Sequence, residues 1–253
     1  DINNILEYLK TNVYYSYDEK IAAAEGAEVT LGFVGDMMLD RGVETSVIKN
    51  FGGNYSKIFS EVKALEDDDI LFANLEGPIS DKGRNVGSKY SFRFDPVVTS
   101  VIKEAGFDIV SFANNHVGDY SDAAFLDTLG RLSENNILVT GAGETYELAK
   151  KPTIIERNGI KIGYLGFSDV GPEWMKATEA KPGILLANDP NLETIIKEAS
   201  ESVDFLVVSV HWGDEYKTHN KRQEALAHKI IDNGAKLVVG HHPHVTQDVE
   251  EYK

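Results

Sequence analysis

The residues able to do chemistry in this sequence are imidazoles, carboxylates and amides, and they fall in clusters. The densest is Gly240-His241-His242-Pro243-His244. The others are Gly35-Asp36, Asn74-Leu75-Glu76-Gly77, Asn114-Asn115-His116, Ser168-Asp169 and His211-Trp212-Gly213-Asp214-Glu215. Imidazole nitrogens and carboxylate oxygens are the usual ligands of zinc, manganese or iron. An extended backbone through His242-Pro243-His244 puts both rings on one side, where they reach one ion or one each of a pair. Asp36 adds a carboxylate oxygen and Asn115 a neutral carbonyl oxygen. A cation held there acidifies water and polarises an ester or amide oxygen. Each cluster also has a plainer use. Asp36 can cap a helix, Asn74 can make a turn, Glu76 can cap or pair, and His211 can be a satisfied core histidine. His219 and His228 read as surface residues, and the glycines at 35, 77, 213 and 240 as turn glycines.

Several other chemistries are excluded. The chain has no cysteine, so it has no thiolate metal site, cysteine nucleophile or redox motif. No serine stands in a Gly-x-Ser-x-Gly elbow, and no glycine-rich loop with a lysine cradles phosphate. A net charge of −16 repels nucleic acid and anionic lipid at long range, so no nucleic-acid partner is expected. No run approaches the ~20 apolar residues of a membrane span, and no signal peptide is visible. The chain begins with Asp1 rather than Met. At 253 residues it can bury roughly 70–75% of its unfolded surface, which makes disulfides dispensable.

The elements that position the clusters follow from apolar periodicity. Residues 1–28 stand apart as an N-terminal helical extension, with Ile2, Ile5, Leu6 and Leu9 on one side of a short helix. From residue 29 onward, apolar strand-like runs appear at 29–34, 70–73, 108–112, 161–167, 205–210 and 237–239. Amphipathic stretches at 55–65, 97–105, 123–134, 192–200 and 222–232 alternate with them. Strand–helix alternation predicts βαβ units, and near-continuous apolar strands predict burial on both faces of the sheet. Thr153 to Glu156 and Lys161 to Tyr164, joined across Arg157-Asn158-Gly159, predict an antiparallel hairpin with an Asn-Gly turn. Nearly every strand runs into one of the polar clusters. In open α/β sheets ligands bind beyond the carboxyl ends of the strands, so parallel neighbours bring the clusters together.

Taken in order, Gly35-Asp36-Met37-Met38-Leu39-Asp40-Arg41, Asn74-Leu75-Glu76-Gly77-Pro78, Asn114-Asn115-His116, His211-Trp212-Gly213 and Gly240-His241-His242-Pro243-His244 resemble the CapA family of bacterial poly-γ-glutamate capsule biosynthesis proteins, across roughly residues 29–250. That family in turn resembles the calcineurin-like metallophosphoesterases. The resemblance implies an α/β fold, a four-layer α/β/β/α sandwich with mixed sheets, over residues 29–253. It also implies closing strands beyond the His-Pro-His motif, so the domain is expected to be truncated at its C-terminal end. It makes Asp36, Asn74, Glu76, Asn115, His211, His242 and His244 metal ligands, with Asn115 and His116 catalytic and His116 the general acid. Two departures matter. Met38 stands where the pattern has a histidine, and Asn74 or Glu76 where it has a bridging aspartate. A thioether is a poor ligand for hard divalent ions. Of one or two divalent ions (Mn, Zn or Fe), one around His211 and the His242/His244 pair is therefore the safer expectation.

The implied partner is poly-γ-glutamate or another anionic polymer, together with membrane-bound capsule synthesis proteins. The implied place is extracytoplasmic, at the cell surface or anchored through a segment absent from this chain. The only charges in residues 82–94 are Lys82, Arg84, Lys89 and Arg93. Arg84, Lys89 and Arg93, with Arg41 and Trp212, are the expected substrate contacts, because a guanidinium fork matches a carboxylate. Beside a scaffold whose polar cluster is merely structural, two readings stay open. One is a metal-dependent hydrolase of phosphoester or γ-glutamyl amide bonds, in which His116 protonates the leaving group. The other is a non-catalytic component that binds, exports or anchors the polymer.

Overall fold

Side-chain parity along the strands decides how this chain layers. The computed structural model describes residues 27–60 and 68–253; the predicted helix near the N-terminus and the end of the 55–65 stretch lie outside the described residues. The elements are β1 (Leu31–Met37), α1 (Arg41–Phe51), α2 (Ser56–Phe59), β2 (Ile70–Leu75), α3 (Val98–Glu104), β3 (Ile109–Ser111), α4 (Ser121–Glu134), β4 (Leu138–Thr140), β5 (Ala142–Gly143), α5 (Tyr146–Ala149), β6 (Thr153–Arg157), β7 (Ile160–Ser168), β8 (Gly183–Ile184), α6 (Leu192–Glu201), β9 (Phe205–His211), α7 (Lys221–Asp232) and β10 (Leu237–His241). Along β2, Ile70 and Phe72 point to one face while Leu71, Ala73 and Leu75 point to the other. Both faces are buried, as the continuous apolar run predicts.

The first sheet has the order β1-β2-β3-β4 and is parallel throughout. The second has the order β10-β9-β7-β6 and is mixed, because β6 pairs antiparallel with β7. Their inner faces meet. Ile70, Phe72 and Ile109 pack with Ile162, Tyr164, Phe205 and Val207, and the rings of Phe72 and Tyr164 stack at 5.6 Å. On the outer side of the first sheet, Val98, Ile102, Phe125 and Leu132 of α3 and α4 cover Leu71, Ala73 and Leu75. On the outer side of the second, Leu192, Ile195, Ile196 and Ile230 of α6 and α7 cover Leu206, Val208 and Val210. These are the four layers α/β/β/α. The β6–β7 turn is the predicted one. Asn158 and Gly159 both have positive φ, 53° and 81°, as a two-residue type I′ turn requires.

The sequence did not announce α1, the three-residue β4, the two-stranded β5–β8 ribbon or α5. Among the described residues no helix is long and apolar enough to cross a membrane.

Candidate functional site

A bulge aims the first carboxylate. Leu31 and Phe33 of β1 face the space between the sheets, so a regular strand would turn Asp36 away. The β1–β2 register slips between Phe33 and Asp36, which sets Asp36 beside Asn74. One extra residue has re-aimed the side chain. Asn74, His211 and His241 share the inner-face parity of their strands, and His241 pairs in register with His211. All four meet at one edge of the sandwich, where the parallel strands end.

There Asp36, Asn74 and His211 form a hydrogen-bonded hub, and His241 lies beside it with no hydrogen bond to its ring. Asn74 Nδ2 donates to Asp36 Oδ1 at 2.7 Å and approaches His211 Nδ1 at 3.3 Å. Asn74 Oδ1 accepts from Asn114 Nδ2 at 3.2 Å. The Asp36 carboxylate fixes which way the Asn74 amide points, because only NH₂ can face it. His211 Nε2 lies 2.7 Å from Asn115 Oδ1. A carbonyl oxygen only accepts, so Nε2 carries the proton and Nδ1 accepts from Asn74. Burial pushes the His211 pKa down and keeps the ring neutral. Asn114 also donates to the Leu75 carbonyl at 2.7 Å and accepts the His116 N–H at 3.0 Å.

The hub engages several atoms of the expected ligand set. The Asn74 carbonyl oxygen, its one possible ligand atom, accepts from Asn114. Asn115 Oδ1 and His211 Nε2 likewise satisfy each other. Met38, at the position the family pattern gives to histidine, accepts the Asp40 N–H on its sulfur at 3.4 Å.

Three donors remain. Glu76, His242 and His244 each offer a ligand atom, and these atoms lie within 4.8 Å of one another. Among the described residues this is the one such group. The expected extended His-Pro-His backbone is not what brings them together. His242 and His244 have φ of 94° and 54°, and the Asp36 carboxylate holds the turn by accepting the His242 N–H at 3.0 Å. Asp36 Oδ2 also lies 3.1 Å from His244 Nδ1. A carboxylate on one ring nitrogen orients the other toward a metal, and His244 Nε2 is 3.7 Å from Glu76 Oε1.

This donor set fits a divalent cation. Two imidazoles and one carboxylate are a known three-ligand set that leaves a position open. His242 Nδ1 is buried with no hydrogen-bond partner, a cost that a ligand removes. Burial lowers the His242 pKa, which keeps its lone pair free. Burial and then the Asp36 charge push the Glu76 carboxyl up to about 8. Burial works against ionising Asp36 too, but the His244 hydrogen bond and the surrounding imidazoles outweigh it and hold that carboxyl well below the usual range.

His116 sits beside this centre. Its ring is near enough to act on His211 and His242. Its Nδ1 lies 2.8 Å from Asp119 Oδ2, and Phe92 packs on its ring with centroids 4.0 Å apart. Among the proposed substrate contacts, Arg41 lies over Tyr90 and Phe92, Lys89 over Tyr90 and Arg93 over Tyr120. Arg84 is exposed and joins its neighbours through its main-chain N–H to the Tyr120 carbonyl. Trp212 is a correction. It is 7% exposed, packs in the core of the second sheet and lies against Gly240, where a Cβ would come within 2.5 Å of its Nε1. No face of it is left for a substrate. Asp169, at the end of β7, is engaged by a two-pronged Arg222 that ties α7 to the sheet.

The model of the bacterial capsule synthesis protein family PGA_cap matches residues 30–253. The chain belongs to this family. Among its PGA_cap relatives are the capsule biosynthesis protein CapA of Bacillus anthracis, 33% identical over 245 residues, and the PGA biosynthesis protein CapA of Bacillus subtilis, 34% identical over 229. The alignments cover 90% and 88% of this chain, but 57% and 60% of those relatives.

Two residues of this PGA_cap site escaped the sequence reading. Asp119 belongs to no apolar rhythm, though its spacing from His116 suits one turn. His241 was read only as part of a motif. It is buried with neither ring nitrogen partnered, its Nδ1 3.7 Å from Asp36 Oδ1.

Proposed function

We propose that this chain acts in poly-γ-glutamate capsule biosynthesis, as a one-cation centre that works on a γ-glutamyl amide or a phosphoester bond. Family membership supports the polymer. The observation that carries the chemistry is His116, held through Nδ1 by a buried Asp119 beside Glu76, His242 and His244. Asp119 fixes the tautomer and leaves Nε2 as the nitrogen that can pass a proton to a leaving amine or alcohol. Asp36 orients His244, and the Asn74–His211–Asn115 chain keeps the strand ends in place. When bound, the cation supplies Lewis acidity at the scissile carbonyl or phosphoryl group. We also place this work at the cell surface, beside membrane-bound capsule synthesis proteins; protease accessibility on whole cells tests that location.

The central test is metal content and turnover on γ-glutamyl oligomers and a generic phosphoester, with added Mn²⁺ or Zn²⁺. His242→Ala and His244→Ala are expected to lose the cation. His116→Ala is expected to keep it while turnover falls by about 10²–10⁴-fold. Unchanged metal content in both histidine variants removes the centre. Turnover that ignores His116 removes its role as the acid, and no turnover at all leaves the site a binding component.

A further inference from the structure

Residues 82–93 break the charge habits of the rest of the chain. With 41 acidic against 25 basic residues, a surface cation has carboxylates to spare. Lys82 uses one, with Nζ 2.6 Å from Asp127. Arg41, Lys89 and Arg93 use none; among the described residues, none of the three has an ion-pair partner. Aromatic faces hold them. Arg41 Cζ lies 5.4 Å from the Tyr90 centroid and 5.5 Å from that of Phe92. Lys89 Nζ lies 5.1 Å from Tyr90, and Arg93 Cζ 4.2 Å from Tyr120.

Asp40, which bonds the backbone of both arginines, pairs with neither guanidinium. Asp40 Oδ1 accepts the Arg41 N–H at 2.6 Å, and Oδ2 accepts the Arg93 N–H at 2.8 Å. Asp40 therefore fixes where both side chains leave the backbone, including Arg41 at a φ of 53°. An aromatic face holds a cation without occupying its N–H donors. Arg41 and Lys89 share one ring, which gathers positive charge that repels itself until an anion arrives.

We propose that Arg41, Lys89 and Arg93 form a binding site for a chain of carboxylates, those left free along a γ-linked glutamate backbone. The proposal takes its polymer from the capsule reading above. Each arginine can meet a carboxylate with two parallel N–H bonds, and Lys89 adds a point charge. The site leads to the acid. Phe92, which carries Arg41 on its ring, packs on His116 and donates its N–H to the same Asp119 oxygen that holds His116, at 2.9 Å.

The test is titration of the chain with a defined γ-linked glutamate oligomer at low and at physiological salt. The wild type is expected to bind more weakly as salt rises. Arg41→Gln/Arg93→Gln is expected to lose about tenfold or more in affinity and to flatten the salt dependence. Lys82→Gln, whose cation already has a partner, should stay within about twofold. Arg41→Lys/Arg93→Lys should fall between, because it keeps charge and loses the fork. A double glutamine variant that melts like wild type and binds like it overturns the site, as does a wild type that binds no oligomer at low salt. Cation content read on the same samples reports on the Glu76–His242–His244 centre separately. Its absence in wild type would remove that centre and leave the carboxylate site standing.

Discussion

The strand-end hub and the basic loop above it treat charge in opposite ways. In the hub, both Asp36 oxygens, both ends of the Asn74 amide and both His211 nitrogens have partners. In the loop, Arg41, Lys89 and Arg93 rest on rings and keep their donors free. Buried polar groups that meet no partner each cost about 1–3 kcal/mol, and the hub closes on itself except at His241, whose ring nitrogens stay unpartnered. Exposed cations carry no such cost, and pairing them with the abundant carboxylates would spoil them for a ligand. The difference teaches where to look for function. It lies in the groups that the surrounding network leaves unfinished, Glu76, His242 and His244 below and the ring-held cations above.

The comparison breaks first at Asp36. Asp36→Ala strips hydrogen bonds from Asn74, from the His242 main chain and from His244 at once. Removing one member of a buried ionic network costs about 3–5 kcal/mol, which for a domain of this size lowers the melting temperature by about 10 °C. Thermal unfolding measures it. A fall of only a degree or two means that the hub does not hold the two sheets together at this edge.

The loop's attachment is the next place to press. Gly83 has a φ of 79°, and a Cβ there would lie 2.0 Å from the Tyr120 carbonyl oxygen. This close approach lets the Arg84 and Val86 N–H groups bond the Tyr120 and Asp119 carbonyls at 3.2 and 3.0 Å. Gly83→Ala is expected to cost about 1–3 kcal/mol. It should weaken oligomer binding while leaving the cation content unchanged. Oligomer affinity equal to wild type would show that docking of the loop does not aim its cations.

How much of this was legible follows from which forces write themselves into one dimension. Strand ends were readable because a buried parallel strand is a continuous apolar run, and the first polar residue after it marks the edge. That reasoning found Asp36, Asn74, Asn115, His211 and His242. It could not separate a ligand from the residue that orients it. Asp36 and Glu76 are both carboxylates near histidines, and only the β1 bulge and the His244 contact tell them apart. Trp212 follows a strand-end histidine, yet the space over Gly240 draws it into the core. The four layers depend on which strands face each other, and that pairing leaves no periodic trace. Helix α1, with three β-branched residues and a glycine among its first seven, lacks a strong apolar stripe. Its start is fixed by the Asp40 side chain accepting from Arg41.

The smallest expected effect lies within the basic loop itself, where Lys82 is the paired exception. Asp127 accepts from Lys82, Arg131 and Ser80. Burial of the carboxyl pushes its pKa up, but these three hydrogen bonds outweigh it and bring it from 3.8 down to about 2. A folded-state pKa below the unfolded one means that folding releases protons between the two values. The stabilisation is complete above about pH 4 and is lost as the pH falls through about 2. Asp127→Asn should therefore melt about 1–3 °C below wild type at neutral pH, the scale of a partly exposed ion pair. That gap should narrow steadily between pH 4 and pH 3. Lys82→Gln should reproduce part of it, because Arg131 and Ser80 still hold the carboxylate. A gap that stays constant down to pH 3 would mean that Asp127 stabilises through packing and not through its charge. The contrast between one paired cation and three free ones would then lose its electrostatic basis.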